Sequence, residues 1–231
     1  MSNDKFSFYK EHPKTCEPND FWGQVKRTIN GEPVSQDQID MIVGSAVSAL
    51  DLGRSDVLLD LCCGNGALSA LLFEHCAGGL GVDFSEYLIK IANSNFAKVG
   101  TQEYALGDVL EFCTSPLNPD AYNKALCYGA FQYIEHERAS DMLRLLRLNF
   151  KNLERVFIGN CPDKSLIGDF FETHSYTQGI ENEPDSAIGI WRTQEEFIKL
   201  AADCGWQAII TKMPLEYYAA HYRYDVTLIR E

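Results

Sequence analysis

Short, nearly continuous apolar runs recur along this chain, each followed by a stretch of helical periodicity. "DVLLDL" (56–61) and "LGVDF" (80–84) lack the apolar–polar alternation of a half-exposed strand. Strands of this kind are buried on both faces, as in a parallel sheet covered by helices. Similar runs follow at "QEYAL" (102–106), "KALCY" (124–128) and "RVFIG" (155–159). Helices are predicted between them, over "ALSALLFEHC" (67–76), "SEYLIKIANSNFAK" (85–98) and "ASDMLRLLRLNFKNL" (139–153). "SQDQIDMIVGSAVSAL" (35–50) opens on a capping box, Ser35 with Gln38, and Gly53 is its expected stop. "TQEEFIKLAADCG" (193–205) carries a second box, Thr193 with Glu196. The chain closes on "WQAIITKM" (206–213) and "YRYDVTLI" (222–229), with no helix between them. This order predicts an α/β fold: a doubly wound, Rossmann-like, mainly parallel seven-stranded sheet with helices on both faces. Its last strand is antiparallel.

Composition narrows the setting. The formal net charge is −13, and the basic footprint of a nucleic-acid binder is missing, so no nucleic-acid partner is expected. No apolar run approaches the roughly 20 residues of a membrane helix, and the polar start has no signal-peptide core. No membrane partner is therefore expected. The eight cysteines (16, 62, 63, 76, 113, 127, 161 and 204) include no C-x-x-C pair, and no H-x₃₋₅-H accompanies them. That spacing predicts no metal site, and reduced thiols in a cytoplasmic protein.

The stretch "DLCCGNG" (60–66) follows the first buried strand and opens a helix. Without side chains, Gly64 and Gly66 let a ligand approach the backbone and its N–H groups. Asp83 ends the next strand, close to the ~20-residue offset at which an acid takes ribose hydroxyls. Together these features indicate an adenosine-containing ligand. A dinucleotide would need G-x-G-x-x-G, but the chain reads "GNGALS", with Ser69 in the last place. Asp60, an acid just before the turn, repels a pyrophosphate and suits a ligand that carries an ammonium group.

"VLLDLCCGNGALS" resembles the first motif, D-x-G-x-G-x-G, of class I S-adenosylmethionine-dependent methyltransferases. Asp60, Gly64 and Gly66 match, and Cys62 stands in for the first glycine. "GVDFS" is similar to the second motif, which implies that Asp83 holds the ribose hydroxyls and Phe84 flanks the adenine. "ALGDVLEF" resembles the third, with Asp108 accepting from the adenine amino group and Val109 offering its backbone N–H. "ALCYGAFQYI" resembles the strand-four segment, where Tyr128 borders the methionyl arm. The two closing runs are similar to the family's strands six and seven, while "FKNLER" replaces its usual Pro-Gly-Gly turn. The resemblance covers roughly residues 55–160. It implies methyl transfer from S-adenosylmethionine, with S-adenosylhomocysteine as product and no metal. Two alternatives stay open: an NAD(P)-dependent oxidoreductase, and a non-catalytic S-adenosylmethionine-binding partner subunit.

On this reading 1–231 is a single methyltransferase domain. Residues 1–34 form an N-terminal arm or cap, 35–162 the donor-binding core, 163–192 a lid-like insert and 193–231 the closing helix and hairpin. Trp22 and Arg27 lie in the arm, and Arg27 is expected to meet the methionyl carboxylate. No Asn/Asp-Pro-Pro-Tyr follows strand four, which points to a small-molecule acceptor such as a sugar, glycan precursor or natural product, methylated on O or N. His136 and Asp163 are the catalytic candidates. Tyr133, His174, Trp191 and His221 are the candidate acceptor contacts.

Overall fold

In the computed structural model, which describes residues 7–171 and 175–230, seven strands form one sheet. They are β1 (Val57–Leu61), β2 (Gly78–Asp83), β3 (Gln102–Leu106) and β4 (Lys124–Tyr128). The others are β5 (Arg155–Pro162), β6 (Gln207–Lys212) and β7 (Arg223–Ile229). Their spatial order is β3-β2-β1-β4-β5-β7-β6. β7 runs antiparallel to both of its neighbours, and the remaining pairings are parallel. The order reverses between β1 and β4, so the crevice beyond their carboxyl ends is the place where such a sheet takes a ligand.

Six helices flank the sheet: α1 (Gln36–Leu50), α2 (Ala67–Phe73), α3 (Glu86–Asn95), α4 (Val109–Thr114), α5 (His136–Asn149) and α6 (Gln194–Asp203). Each face of the sheet has its own core, because side chains alternate along a strand. Leu59 and Leu61 of β1 pack with Met142, Leu143, Phe197 and Leu200 of α5 and α6. Leu58, the neighbour before Leu59, packs the other way, with Ile39, Ile42, Leu72 and Ile89 of α1, α2 and α3.

Local chemistry sets the helix ends, and not always as the sequence predicts. The capping box of α6 forms: Glu196 N donates to Thr193 Oγ1 at 3.1 Å, and Thr193 N donates to Glu196 Oε2 at 2.8 Å. That of α1 does not, although Ser35 is the N-cap residue. Gln38 is drawn to the loop between the last strands instead. Its Nε2 donates to the Glu216 carbonyl, and its Oε1 accepts from Tyr218 N. α1 stops at Asp51 (φ 51°), while Gly53 N donates to the Asp56 carboxylate in the following turn. α5 starts at His136, three residues before the predicted start, and β5 runs on to Pro162 through a bulge.

The 163–192 segment is tied at its base. Asp163 and Arg192 form a bridge, and Lys164 N donates to the Arg192 carbonyl. Trp191, only 2% exposed, packs on Phe170, Phe171 and Tyr222. The expectation that Trp191 contacts an acceptor is corrected here: its indole anchors the insert to the body.

Candidate active site

A cavity of about 310 Å³ opens beyond the carboxyl ends of β1, β2 and β4. The turn after β1 is its floor. Cys62 holds a left-handed backbone at φ 62°, Gly64 follows at φ 60° and Gly66 at φ 79°. Gly66 is not in the cavity wall. It is the N-cap of α2, and a Cβ there would lie 2.6 Å from Tyr104 Cε1. Cys62, Cys63 and Gly64 are in the wall. A hydrogen bond to Cys127, reinforced by burial, pushes the Cys62 thiol well up, which suits a filler and not a nucleophile.

Two buried carboxylates organise this floor. Asp60 Oδ2 accepts from Ser69 Oγ at 2.5 Å, so the residue in place of a third glycine braces the acid. Burial pushes the Asp60 carboxyl up to about 7, against the lowering pull of Ser69 and of the Arg27 charge. Asp83 accepts from Gly64 N through Oδ2 and from Ser85 N through Oδ1, both at 2.9 Å. Burial raises it to about 6, opposed by these two amides. A carboxylate has about four lone-pair sites, so Asp83 keeps two for a ligand while pinning the turn to β2.

The apolar side of the cavity comes from Val82, Phe84, Leu88 and Val109. Asp108 lines the cavity as the N-cap of α4, accepting from Leu110 N and Glu111 N. It also takes both oxygens to Arg138 Nη2 of α5, at 2.8 and 3.1 Å. Tyr128 lines the cavity from β4, with its hydroxyl donating to Tyr217 Oη at 3.1 Å.

Segments outside the sheet complete the wall. From the arm come Tyr9, Val25 and Arg27, and the arm is docked by Asn65 of the glycine turn. Asn65 Nδ2 donates to the Phe21 carbonyl at 2.7 Å and to Gln24 Oε1 at 2.8 Å. The Arg27 guanidinium sits between two rings, 5.4 Å from that of Trp22 and 5.2 Å from that of Tyr128. Trp22 thus supports Arg27 without lining the cavity itself. Tyr133, Ile134, Glu135 and Arg138 follow β4, and Pro184 and Asp185 come from the insert. Tyr133 ties these pieces together: its ring lies 5.2 Å from that of Tyr9, and its hydroxyl donates to the Ala187 carbonyl at 3.0 Å.

Several sequence candidates fall elsewhere. His136 is exposed at the first turn of α5 and is not in the wall. Asp163, 1% exposed, is occupied by Ser165 and Gln194, the bonds of a structural turn acid. His221 is exposed, its ring tilted against that of Tyr222 at 4.7 Å. His174 lies outside the described residues. Sequence reasoning missed Tyr9, Asn65, Arg138 and Asp185. A polar residue inside the glycine turn was the one available signal, for Asn65; the rest are joined only by tertiary structure.

Residues 58–151 match the family model of a methyltransferase domain. Among solved structures, magnesium protoporphyrin IX methyltransferase from Synechocystis PCC 6803 with bound S-adenosylmethionine is 17% identical, with a TM-score of 0.61 over 99% of this chain and 98% of that one. Geranyl diphosphate C-methyltransferase from Streptomyces coelicolor A3(2) is 12% identical, with a TM-score of 0.59 over 83% of this chain and 76% of that one. At these identities the likeness is one of fold. A curated relative, the 23S rRNA (uracil(1939)-C(5))-methyltransferase RlmD of Legionella pneumophila strain Paris, is 33% identical over 157 residues, or 66% of this chain. The chain spans 31% of that relative's length, and 15% of its strain Corby counterpart's. These relatives overturn the expectation that nucleic acid is excluded. Net charge sums the whole surface, whereas contact with a polyanion depends on local potential, so −13 overall does not forbid it.

Proposed function

We propose that this chain, which carries a methyltransferase domain over residues 58–151, is a class I S-adenosylmethionine-dependent enzyme that transfers a methyl group to one compact acceptor group admitted beside Tyr9, Tyr133 and Asp185. The observation that carries this reading is convergence. Residues from three separate motifs (Gly64, then Asp83 and Phe84, then Asp108 and Val109) line one cavity.

The wall fits the donor part by part. Asp83 has lone pairs left for two ribose hydroxyls. Phe84, Leu88 and Val109 offer apolar faces to the adenine. Asp108 has room for the amino group on Oδ2 alone, beside its bond from Arg138, because Oδ1 already accepts from Leu110 N, Glu111 N and Arg138. Arg27, held between Trp22 and Tyr128, is set to receive the methionyl carboxylate. Asp60 supplies negative charge toward the ammonium end. When bound, S-adenosylmethionine supplies a methyl group already activated on a sulfonium. What the chain adds is alignment and exclusion of water, and positioning of this kind supplies roughly 7–11 kcal/mol of barrier reduction.

Free small molecules and a base presented by RNA both bring a compact acceptor group. Transfer of label from methyl-labelled donor into a metabolite extract or into ribosomal RNA separates them. The donor itself is tested by thermal unfolding. S-adenosylhomocysteine at a hundredfold excess over its Kd should stabilise the protein by about 2.7 kcal/mol, and NAD should not. Stabilisation by NAD alone would sink the reading.

A further inference from the structure

Close to the tyrosines of the cavity lies a cation that the donor site does not use. Arg223 opens β7 and is only 8% exposed. Among the described residues no carboxylate pairs with it: Asp225, two positions along, accepts instead from Asn160 N at 2.8 Å. Arg223 Nη1 donates to the Asn160 carbonyl, the guanidinium lies 4.8 Å from the Tyr222 ring centre, and Nε has no hydrogen-bond partner. Burying a cation without a counter-ion is costly, so the arrangement asks what completes it.

The surroundings point toward the cavity. Arg223 interacts electrostatically with Tyr133 and Tyr9, and both line the cavity. Gly129, also in the wall, connects two further orphaned groups. Its carbonyl accepts from Gln132 Nε2 at 2.9 Å, and a Cβ on it would lie 3.6 Å from Asn160 Nδ2. Gln132 is 3% exposed, and its Oε1, like Asn160 Oδ1, has no partner. Arg192 is buried too and its Nε is likewise without a partner, but its Nη2 donates to the Ile134 carbonyl at 3.3 Å and its guanidinium lies 5.2 Å from the core ring of Phe131.

We propose that Arg223 anchors an anionic group of the acceptor, a carboxylate or a phosphate, admitted to the cavity beside Tyr9 and Tyr133. Resting on the methyltransferase reading, this narrows the acceptor to molecules that carry such an anion beside the atom to be methylated. A guanidinium recognises either group through paired N–H donors, and the free Nε–H is one of them. The unpartnered oxygens of Gln132 and Asn160 then suit hydroxyl or amino donors on the same acceptor.

The test is calorimetric titration of the S-adenosylhomocysteine-saturated protein with benzoate, phenyl phosphate and uridine monophosphate, with neutral benzamide as control. At least one anion should bind and benzamide should not. Arg223→Gln should weaken the anion by about tenfold or more while S-adenosylhomocysteine affinity stays unchanged. Preference for benzoate points to a carboxylate acceptor, and preference for the phosphates to a nucleotide or phosphorylated one; either supports the proposal. If the glutamine variant fails to fold, Arg223→Lys is the readout: it should keep the anion-over-amide preference at lower affinity. Unchanged anion affinity in the variant tested, no binding of any of the three anions to the parent protein, or equal binding of benzamide would overturn the proposal. Failure of S-adenosylhomocysteine to bind would instead overturn the methyltransferase reading.

Discussion

Cys62 occupies a backbone position that glycine fills more easily. Its φ of 62° is left-handed, which costs a non-glycine residue roughly 1–2 kcal/mol. Its side chain packs against the core in return. These opposing effects are similar in size, so Cys62→Gly should keep the melting temperature close to the parent's and leave S-adenosylhomocysteine binding intact. Gly66 has no such latitude. It combines a φ of 79° with neighbours at 2.6 Å (Tyr104 Cε1) and 2.9 Å (Ala92 Cβ) from any added Cβ. Gly66→Ala should therefore destabilise the fold by about 2 kcal/mol or more, measured by chemical denaturation. Equal stability of the two variants would show that turn strain has been misassigned.

At the scale of elements, Asn65 makes the side-chain hydrogen bonds that tie the N-terminal arm to the glycine turn. Asn65 spends its amide N–H groups on the Phe21 carbonyl and Gln24 Oε1, and Val25 lies directly over Gly64. Asn65→Ala leaves those acceptors unpaired, at a cost of about 1–3 kcal/mol, and should undock the arm. Hydrogen exchange should then quicken over residues 21–27 and leave β1 protected; uniform exchange in parent and variant would mean the arm is held elsewhere. Donor affinity should fall as well, because Arg27 belongs to the same arm and lines the cavity.

Elements of this chain were legible in proportion to how locally they are specified. Each strand run read from the sequence is a strand here, because an apolar run between turn residues has few other fates in a doubly wound sheet. The box at Thr193 formed because, among the described residues, no other side-chain hydrogen bond draws Glu196 away, and the one at Ser35 failed because Gln38 found partners 178 and 180 positions away. The cavity floor was legible for the same reason, since Asp60, Gly64 and Asp83 sit at or just beyond strand ends with fixed spacing. The acceptor side was not. Tyr9, Tyr133 and Asp185 come from three segments whose meeting depends on tertiary packing. His136 and His221 attracted notice as residue types, but neither lines the cavity.

Taken as a whole molecule, the site couples protonation to ligand. Burial is the leading cause that raises Asp60 to about 7 and Asp83 to about 6, so in the free protein both hold protons well above the usual carboxylate range. The sign follows from linkage. A carboxyl raised on folding binds more protons in the native state, so its contribution is fully present below the unfolded pKa and is lost as pH rises through the folded value. These two groups therefore make the free protein less stable on going from acid to neutral pH. Under the proposed assignment the donor reverses that preference, because ribose hydroxyls and an ammonium are better partners for carboxylates than for carboxylic acids. Affinity for S-adenosylmethionine should accordingly rise between about pH 5.5 and 8, and the stabilisation it confers should grow over the same window. Measuring the ligand-induced shift cancels groups the donor does not touch, such as Asp225, which burial also raises to about 6. Asp83→Asn should weaken binding at every pH and remove the lower part of the rise, and Asp60→Asn should remove the upper part. A donor affinity flat across the window in the parent protein would mean that neither carboxylate changes its proton on binding, and the assignment of both to the donor would have to be given up.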